Sequence, residues 1–172
     1  MMGYIILSVL VLALDMLTKR LAVFFLEGGG SVPILQGILH FTYVENTGVA
    51  FGMLQDRRII FITVSLAVLV VLGLYFYKTK RRDRFLKFGT ALVFSGAVGN
   101  LIERVFNGYV VDFIDFRLIN FPVFNVADIA VCVGAVLLLL HFLFDMSDEE
   151  KKSADPEAAA HSEDGAGAEK KA

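Results

Sequence analysis

The sequence predicts an all-α integral membrane protein with four transmembrane helices and a small extracytoplasmic β element between helices 1 and 2. Hydrophobic residues make up 56% of the 172-residue chain, and its mean hydropathy is +0.67. Soluble domains contain about 45–50% apolar residues. The excess lies in four stretches, each close to the roughly 20 residues that cross a bilayer, at residues 3–26, 59–77, 85–106 and 123–144.

The first stretch is predicted to be a retained span and not a cleaved secretion signal. No basic segment precedes it, no convincing small-residue cleavage site follows it, and Asp15, Lys19 and Arg20 interrupt it. Asp15 and Lys19 are four residues apart, so they share one helix face and can form an ion pair. Such a pair either anchors the helix end at the membrane interface or belongs to a functional site.

Residues 27–58 are predicted to form a loop that contains the β element. Three consecutive glycines at 28–30 break the preceding helix. Residues 38–44 are rich in aromatic and β-branched side chains, which is typical of a strand. A short helical turn is expected near residues 50–55.

The charge distribution predicts the orientation of the spans. Five of the seven residues from 78 to 84 are basic, and the positive-inside rule places such a loop in the cytoplasm. With four spans, both termini then lie in the cytoplasm, and residues 27–58 and 107–122 lie outside. Contact with lipid headgroups is a secondary role for the basic run, and no nucleic-acid partner is predicted.

The composition divides the chain into two parts. Residues 1–146 are predicted to form the transmembrane domain, which contains all the apolar stretches. Residues 147–172 are dominated by Ala, Glu, Asp, Lys, Gly and Ser, a composition too polar to bury a core. They are predicted to form a disordered, charged cytoplasmic tail.

Two aspartates, Asp112 and Asp128, flank the short connection between the third and fourth spans. A carboxylate in hydrocarbon costs roughly 2.5–3.5 kcal/mol on insertion scales, so two of them beside one connection indicate a site. Paired carboxyl groups suit hydrolysis, because one can accept a proton from water while the other donates a proton to a carbonyl oxygen. Further polar residues map to the same depth: Asp15, Lys19, Asn100, Arg104 and Asn125.

The predicted outer loops contain too few suitable side chains for other kinds of catalytic site. His40 is the only histidine in the predicted outer loops, so a Ser–His protease or a histidine-rich zinc site is not expected. Glu103 is expected to neutralise Arg104 or another base, and Asp115 to be a supporting or surface residue. A proton-coupled membrane carrier or a non-catalytic membrane scaffold stays open as an alternative, although carriers usually place their polar residues near the midplane.

Five sequence blocks resemble the lipoprotein signal peptidases, also called signal peptidase II. The resemblance extends from about residue 4 to residue 144. The blocks occur in the order of that family and read DMLTK at 15–19, ENTGVAF at 45–51, GNLIER at 99–104, VVDFIDF at 110–116 and FNVAD at 124–128.

The resemblance implies an intramembrane aspartyl endopeptidase of the bacterial inner membrane, with an extracytoplasmic β-cradle and with Asp112 and Asp128 as the catalytic pair. The implied substrate is a prolipoprotein whose cysteine carries a diacylglyceryl group, cut on the amino side of that cysteine. Membrane lipid is the other expected partner, no metal or organic cofactor is expected, and no oligomeric state is predicted. The residues that would bind substrate or support the pair are Asp15, Lys19, Asn46, Gly48, Asn100, Arg104 and Asn125.

Overall fold

Residues 2–48, 58–79 and 83–154 are described in the computed structural model, with residues 147–154 described by their backbone alone. These residues form four helices, α1 (Met2–Leu26), α2 (Arg58–Lys78), α3 (Arg84–Phe106) and α4 (Val126–Ala154). They also form three strands, β1 (Ser31–Leu35), β2 (Leu39–Asn46) and β3 (Val110–Phe116), and a short 3-10 turn, Arg117–Ile119.

Three of these helices are long and apolar enough to cross a membrane: α2, α3 and α4 as far as Met146. Helix α1 has 25 residues and lies where the first span is expected, and its role as a fourth span stays a prediction. Helix α4 continues to Ala154, beyond the domain boundary predicted at residue 146. The helical turn expected near residues 50–55 and most of the predicted tail lie outside the described residues.

Helix α3 lies at the centre of the bundle, and small side chains allow its neighbours to approach. A Cβ atom on Gly89 would come within 2.9 Å of the carbonyl oxygen of Gly134 in α4, and one on Gly134 would come within 2.8 Å of the Gly89 carbonyl. Glycines at such crossings allow helix backbones to touch in the membrane. Helix α2, by contrast, has no buried residue and lies on the periphery.

The strands form one antiparallel sheet in the order β1-β2-β3. The strand predicted at residues 38–44 is confirmed by β2. Strand β3 was not predicted, because its segment was interpreted as a short loop. The sheet packs on the last turns of α1, where Ala22 and Leu26 contact Val111 and Phe113, and it defines what is here called the sheet end of the bundle.

A polar cluster ties the strands together on the sheet. The carboxylate of Asp115 accepts hydrogen bonds from the Thr42 hydroxyl and from Nε of Arg117, each at 2.7 Å. The neighbouring Ser31 hydroxyl contacts Nδ1 of His40 at 3.1 Å, and Nε2 of His40 accepts the N–H of Gly37 at 3.2 Å. Because Nε2 accepts, Nδ1 carries the proton, so His40 cannot act as a base toward Ser31.

We expect Asp115 to make a pH-dependent contribution to the free energy of unfolding. Burial alone would raise the pKa of Asp115, but the bonds from Thr42 and Arg117 together hold it below its usual value. The stabilisation is therefore present above about pH 4, the usual Asp value, and is lost as the pH falls through the lowered pKa. Asp115→Asn should cost about 1 kcal/mol of unfolding free energy at pH 7, since Arg117 is partly exposed. Thermal unfolding in detergent at pH 7 and pH 3 tests this: a deficit of equal size at both values would contradict it.

Candidate active site

Asp112 lies in the middle of the structure's most buried strand and is itself 1% exposed. Pairing of Asp112 with Val44 places it beside the end of β2, where Asn46 lies. Its two carboxyl oxygens accept hydrogen bonds from two amides: Oδ1 from Nδ2 of Asn125 at 2.6 Å and Oδ2 from Nδ2 of Asn46 at 2.7 Å. Both oxygens are thus held in place by side chains from other elements.

Asp128 is placed by the way α4 begins. Asn125 precedes the first helical residue, and its Oδ1 accepts the N–H of Asp128 at 3.0 Å. In return, Oδ2 of Asp128 accepts the N–H of Asn125 at 3.1 Å. This reciprocal arrangement is a capping box, and it satisfies two backbone donors that the helix leaves unpaired. The same asparagine therefore caps α4 and contacts both aspartates.

Asn100 connects this pair to the ion pair in α1. Its Nδ2 donates to Oδ1 of Asp128 at 2.8 Å, and its Oδ1 accepts from the ammonium of Lys19 at 2.8 Å. An ammonium can only donate, so Lys19 forces the amide oxygen of Asn100 toward itself and the amide N–H toward Asp128. Oδ1 of Asn100 also accepts from Asn125 at 3.2 Å.

Asp15 fixes the position of Lys19 and links α1 to α4. The predicted Asp15–Lys19 ion pair is confirmed, with Nζ and Oδ2 2.9 Å apart and both residues buried. Oδ1 of Asp15 accepts the N–H of Ala127 in the first turn of α4 at 2.9 Å. A Cβ atom at position 99 would lie 2.6 Å from Asp15 Oδ2, so this contact requires Gly99. The ion pair is therefore connected to Asp128 through Asn100.

Beside the two aspartates lies a cavity of about 460 Å³. Arg104 lines it, with its guanidinium 5.2 Å from the centre of the Phe61 ring, 3.5 Å from the Gly48 carbonyl, and in electrostatic contact with Asp112 and Asp128. Gly48 is held by a hydrogen bond from its N–H to Oδ1 of Asn46 at 2.9 Å. Most of the remaining wall is apolar and comprises Phe121, Pro122, Val123, Phe124, Ile129, Cys132 and Val133.

The environment of Asp112 favours its protonated form. The pKa of Asp112 is raised to about 7, chiefly by burial and also by the nearby charge of Asp128, while the bonds from Asn46 and Asn125 and the charge of Lys19 oppose the shift. A carboxyl group that keeps its proton near neutral pH next to a second carboxyl group can act as an acid, with its neighbour as the base. In the described ranges 2–48, 58–79 and 83–154, no cluster of His, Cys, Asp and Glu has the make-up of a metal site.

Comparison with known proteins identifies the family. The family model described as signal peptidase (SPase) II matches residues 7–144. The chain belongs to the signal peptidase II family. A lipoprotein signal peptidase of Clostridioides difficile is 46% identical over 83% of this chain and 96% of its own length, and one of Halothermothrix orenii is 44% identical over 81% and 94%. A solved bacterial membrane enzyme, determined in meso at 2.3 Å resolution, is 32% identical with a TM-score of 0.80, covering 86% of this chain and 92% of that one.

Membership of the signal peptidase II family makes the chain an aspartic-type peptidase with a multi-pass membrane fold. The carrier and scaffold alternatives are therefore not supported. Each residue that the sequence nominated lies in one connected region at the sheet end: Asp15, Lys19, Asn46, Gly48, Asn100, Arg104, Asp112, Asn125 and Asp128.

One feature of this signal peptidase II family member differs from the sequence-based expectation. Asp112 stands in a strand and not in a loop; the run of β-branched and aromatic residues at 110–116 was the signal that could have revealed it. The expectation that Glu103 neutralises Arg104 or another base is confirmed, because Glu103 contacts Lys19 of α1 at 3.1 Å. Adjacent residues on a helix point about 100° apart, which is why Glu103 and Arg104 face different neighbours.

Proposed function

We propose that this enzyme removes the signal peptide from prolipoproteins whose cysteine carries a diacylglyceryl group, and that it cuts on the amino side of that cysteine. Asp112 and Asp128 are the catalytic pair. The observation that carries the proposal is the bridge of Asn125 between the two carboxyl groups, beside a cavity whose wall is largely apolar. The similarity to lipoprotein signal peptidases supports the substrate class.

Peptide hydrolysis by Asp112 and Asp128 requires that the two carboxyl groups together carry one proton. The ionised carboxyl group takes a proton from a water molecule as the water oxygen bonds to the scissile carbonyl carbon, and the protonated group donates to the carbonyl oxygen. The resulting tetrahedral intermediate collapses when its C–N bond breaks and the nitrogen receives the proton taken from water. One hydroxyl group of the intermediate returns a proton to the carboxyl group that donated in the first step, which leaves a carboxylic acid product and the pair in its starting protonation state. We assign the first proton donation to Asp112, which is 1% exposed and whose pKa is raised to about 7.

The other polar residues hold the substrate and the pair. Arg104, Gly48 and Asn46 line the cavity and can bind the peptide backbone near the scissile bond. Asn100, Lys19 and Asp15 maintain the orientation of Asp128 from behind. The apolar wall suits the diacylglyceryl chains, because a lipid-anchored substrate reaches the enzyme from the bilayer.

A cleavage assay with two matched substrates tests this function. Purified enzyme in detergent is given a prolipoprotein with a diacylglyceryl cysteine and the same chain with an unmodified cysteine. We expect cleavage of the lipidated substrate alone, with a new N-terminus at the modified cysteine by mass spectrometry. Equal cleavage of both substrates would contradict the assigned substrate class, and cleavage elsewhere would contradict the assigned bond.

The membrane topology proposed here places α1 as a fourth span and the sheet as a cradle on the extracytoplasmic side. It is supported by the basic run at residues 78–84 of the sequence, because Lys78 ends α2 and Arg84 begins α3 at the end of that helix away from the sheet. A reporter fused after Lys80 should behave as cytoplasmic, and one inserted at Gly29 as extracytoplasmic. The reverse pattern would place the aspartates on the wrong face for exported prolipoproteins.

A further inference from the structure

A narrow groove lies between α1, α2 and α3, at the end of the bundle away from the sheet. Its volume is about 150 Å³, below the roughly 300–1,000 Å³ of pockets that enclose a small molecule. Most of its wall is formed by Tyr4, Ile5, Ser8, Phe76, Ala91 and Phe94. Ile5 is 57% exposed and Phe94 is 47% exposed, so the groove opens on the outer surface of the bundle. Its size and its wall suit one hydrocarbon chain.

A positive charge lies at the mouth of this groove. Lys87, Ala91 and Phe94 follow one another at spacings of four and three residues, so they share one face of α3. Lys87 lies in the first turn, and Phe94 lies about 10 Å further along the helix axis. The Lys87 ammonium is 6.0 Å from the centre of the Tyr4 ring, which also lines the groove. The order from charge to hydrocarbon matches that of a phospholipid, whose phosphate lies above its acyl chains.

The charge around Lys87 favours an anionic lipid. Within the described parts of the chain, no carboxylate forms an ion pair with Lys87. Residues 78–84 contain five bases and a single acid, Asp83. The Asp83 carboxylate accepts the N–H of Leu86 at 2.9 Å and lies 2.6 Å from Nδ1 of His141 on α4. Basic residues beside a span attract anionic headgroups, so a net negative headgroup complements this end of the bundle.

A lipid chain in the groove would also improve the packing of α2. That helix has no buried residue, and it contributes Phe76 to the groove wall. A chain that fills the groove contacts α1, α2 and α3 at once, so it attaches the peripheral helix to the bundle. A ligand that binds only the folded state raises the stability of that state.

We propose that this groove binds an anionic phospholipid, with one acyl chain between Ile5, Phe76 and Phe94 and the phosphate against the ammonium of Lys87. The site is separate from peptide cleavage. The groove and the cavity beside the two aspartates share no lining residue, and they lie toward opposite ends of the bundle.

The headgroup contact is tested with phosphatidylglycerol and phosphatidylcholine that carry the same acyl chains. Each lipid is titrated into the purified full chain in detergent, and its dissociation constant is measured by native mass spectrometry. Phosphatidylglycerol should bind more tightly than phosphatidylcholine and should raise Tm more. Lys87→Gln should weaken phosphatidylglycerol binding about fivefold, the factor that one basic residue near an anionic lipid typically contributes. Lys87→Arg keeps the charge and should keep the wild-type affinity.

Arg84→Gln is the matched control for the loss of one positive charge. The Arg84 guanidinium lies 5.4 Å from the centre of the Phe85 ring, and Phe85 stacks on Phe144 of α4. Arg84 does not line the groove, so its loss should leave phosphatidylglycerol binding close to that of the wild type.

A second pair of variants tests the acyl chain. Ile5 and Ile6 are neighbouring exposed residues of α1, but only Ile5 lines the groove. Ile5→Trp places a larger side chain where the acyl chain would lie, so it should weaken phosphatidylglycerol binding and reduce the rise in Tm. Ile6→Trp adds the same bulk outside the groove and should change neither property.

The outcomes separate this site from diffuse attraction to a basic surface. Equal binding of the two lipids, wild-type affinity in Lys87→Gln, or equal losses in Lys87→Gln and Arg84→Gln overturns the proposal. Equal effects of the two tryptophan substitutions overturn it as well. If Lys87→Gln does not fold, the two lipids on the wild type and the tryptophan pair decide. No cleavage is measured in these experiments, so their failure is distinguishable from failure of the proposed function.

Discussion

Asp128→Asn and Asp112→Asn enzymes are expected to lose almost all turnover of a lipidated prolipoprotein. Each substitution keeps the shape of the side chain but removes the carboxyl group that takes up or releases a proton. General acid–base catalysis contributes about 10²–10⁴-fold per group, so each variant should fall by at least that factor in kcat. The kcat of the double variant should be at most a few-fold below that of the less active single variant, because the two groups act as one unit.

Asp115→Asn is the matched control, since it changes an aspartate of the same strand that faces Thr42 and Arg117 and not the catalytic pair. It should keep kcat within a few-fold of the wild type. The wild-type pH profile should be bell-shaped. Because the pKa of Asp112 is raised to about 7, the shared proton persists below that pH, and activity should fall as the pH rises through it. Near-normal cleavage by Asp128→Asn enzyme would show that the aspartyl mechanism is wrong.

Asn125→Ala is expected to be the next most damaging change, because Asn125 is fully buried and joins both aspartates. Losing the N-cap of α4 costs about 0.5–2 kcal/mol, and leaving buried partners unsatisfied costs about 1–3 kcal/mol more. Asp112 also loses the donor that orients Oδ1, so kcat should fall about 10²-fold. Thermal unfolding and steady-state kinetics measure the two effects separately.

Asn125→Ser distinguishes helix capping from orientation of the pair. Serine is a good N-cap and can still accept the N–H of Asp128, but its side chain is too short to reach Asp112. We therefore expect Tm to recover toward the wild type while kcat stays low. If Asn125→Ser recovered both properties together, capping alone would account for the role of Asn125. Asn107→Ala, at an exposed asparagine just after α3, is the surface control.

The hydropathy of the sequence predicted where the four helices lie along the chain. It could do so because a long apolar stretch is a property of local composition. It also located Asp112, Asp128, Asn100 and Asn125 at one depth, since residues near the ends of successive spans return to the same side. The Asp15–Lys19 contact followed from their spacing on one helix. Each of these inferences uses only distances along the chain.

The contacts between elements could not be obtained in this way. Strand β3 forms because β2, about seventy residues earlier, offers it a pairing edge, and strand formation depends on such neighbours more than on the segment itself. The partner of Glu103 depends on how α3 is rotated against α1, and that rotation is set by the close approach at Gly99. The sequence alone gives neither the pairing register of β2 with β3 nor the rotation of α3 against α1. It therefore does not determine either contact.

The candidate site combines residues that lie far apart in the sequence: Asp15 and Lys19 come from α1, Asp112 from β3, and Asp128 from α4. During synthesis, the ribosome must therefore release nearly the whole membrane domain before the second carboxyl group can meet the first. If Asp112 and Asp128 form the catalytic pair, as proposed above, a nascent chain that stalls after β3 contains Asp112 without its partner and cannot cleave a prolipoprotein. Under this proposal, proteolytic activity requires that α4 has been synthesised and has packed beside β3.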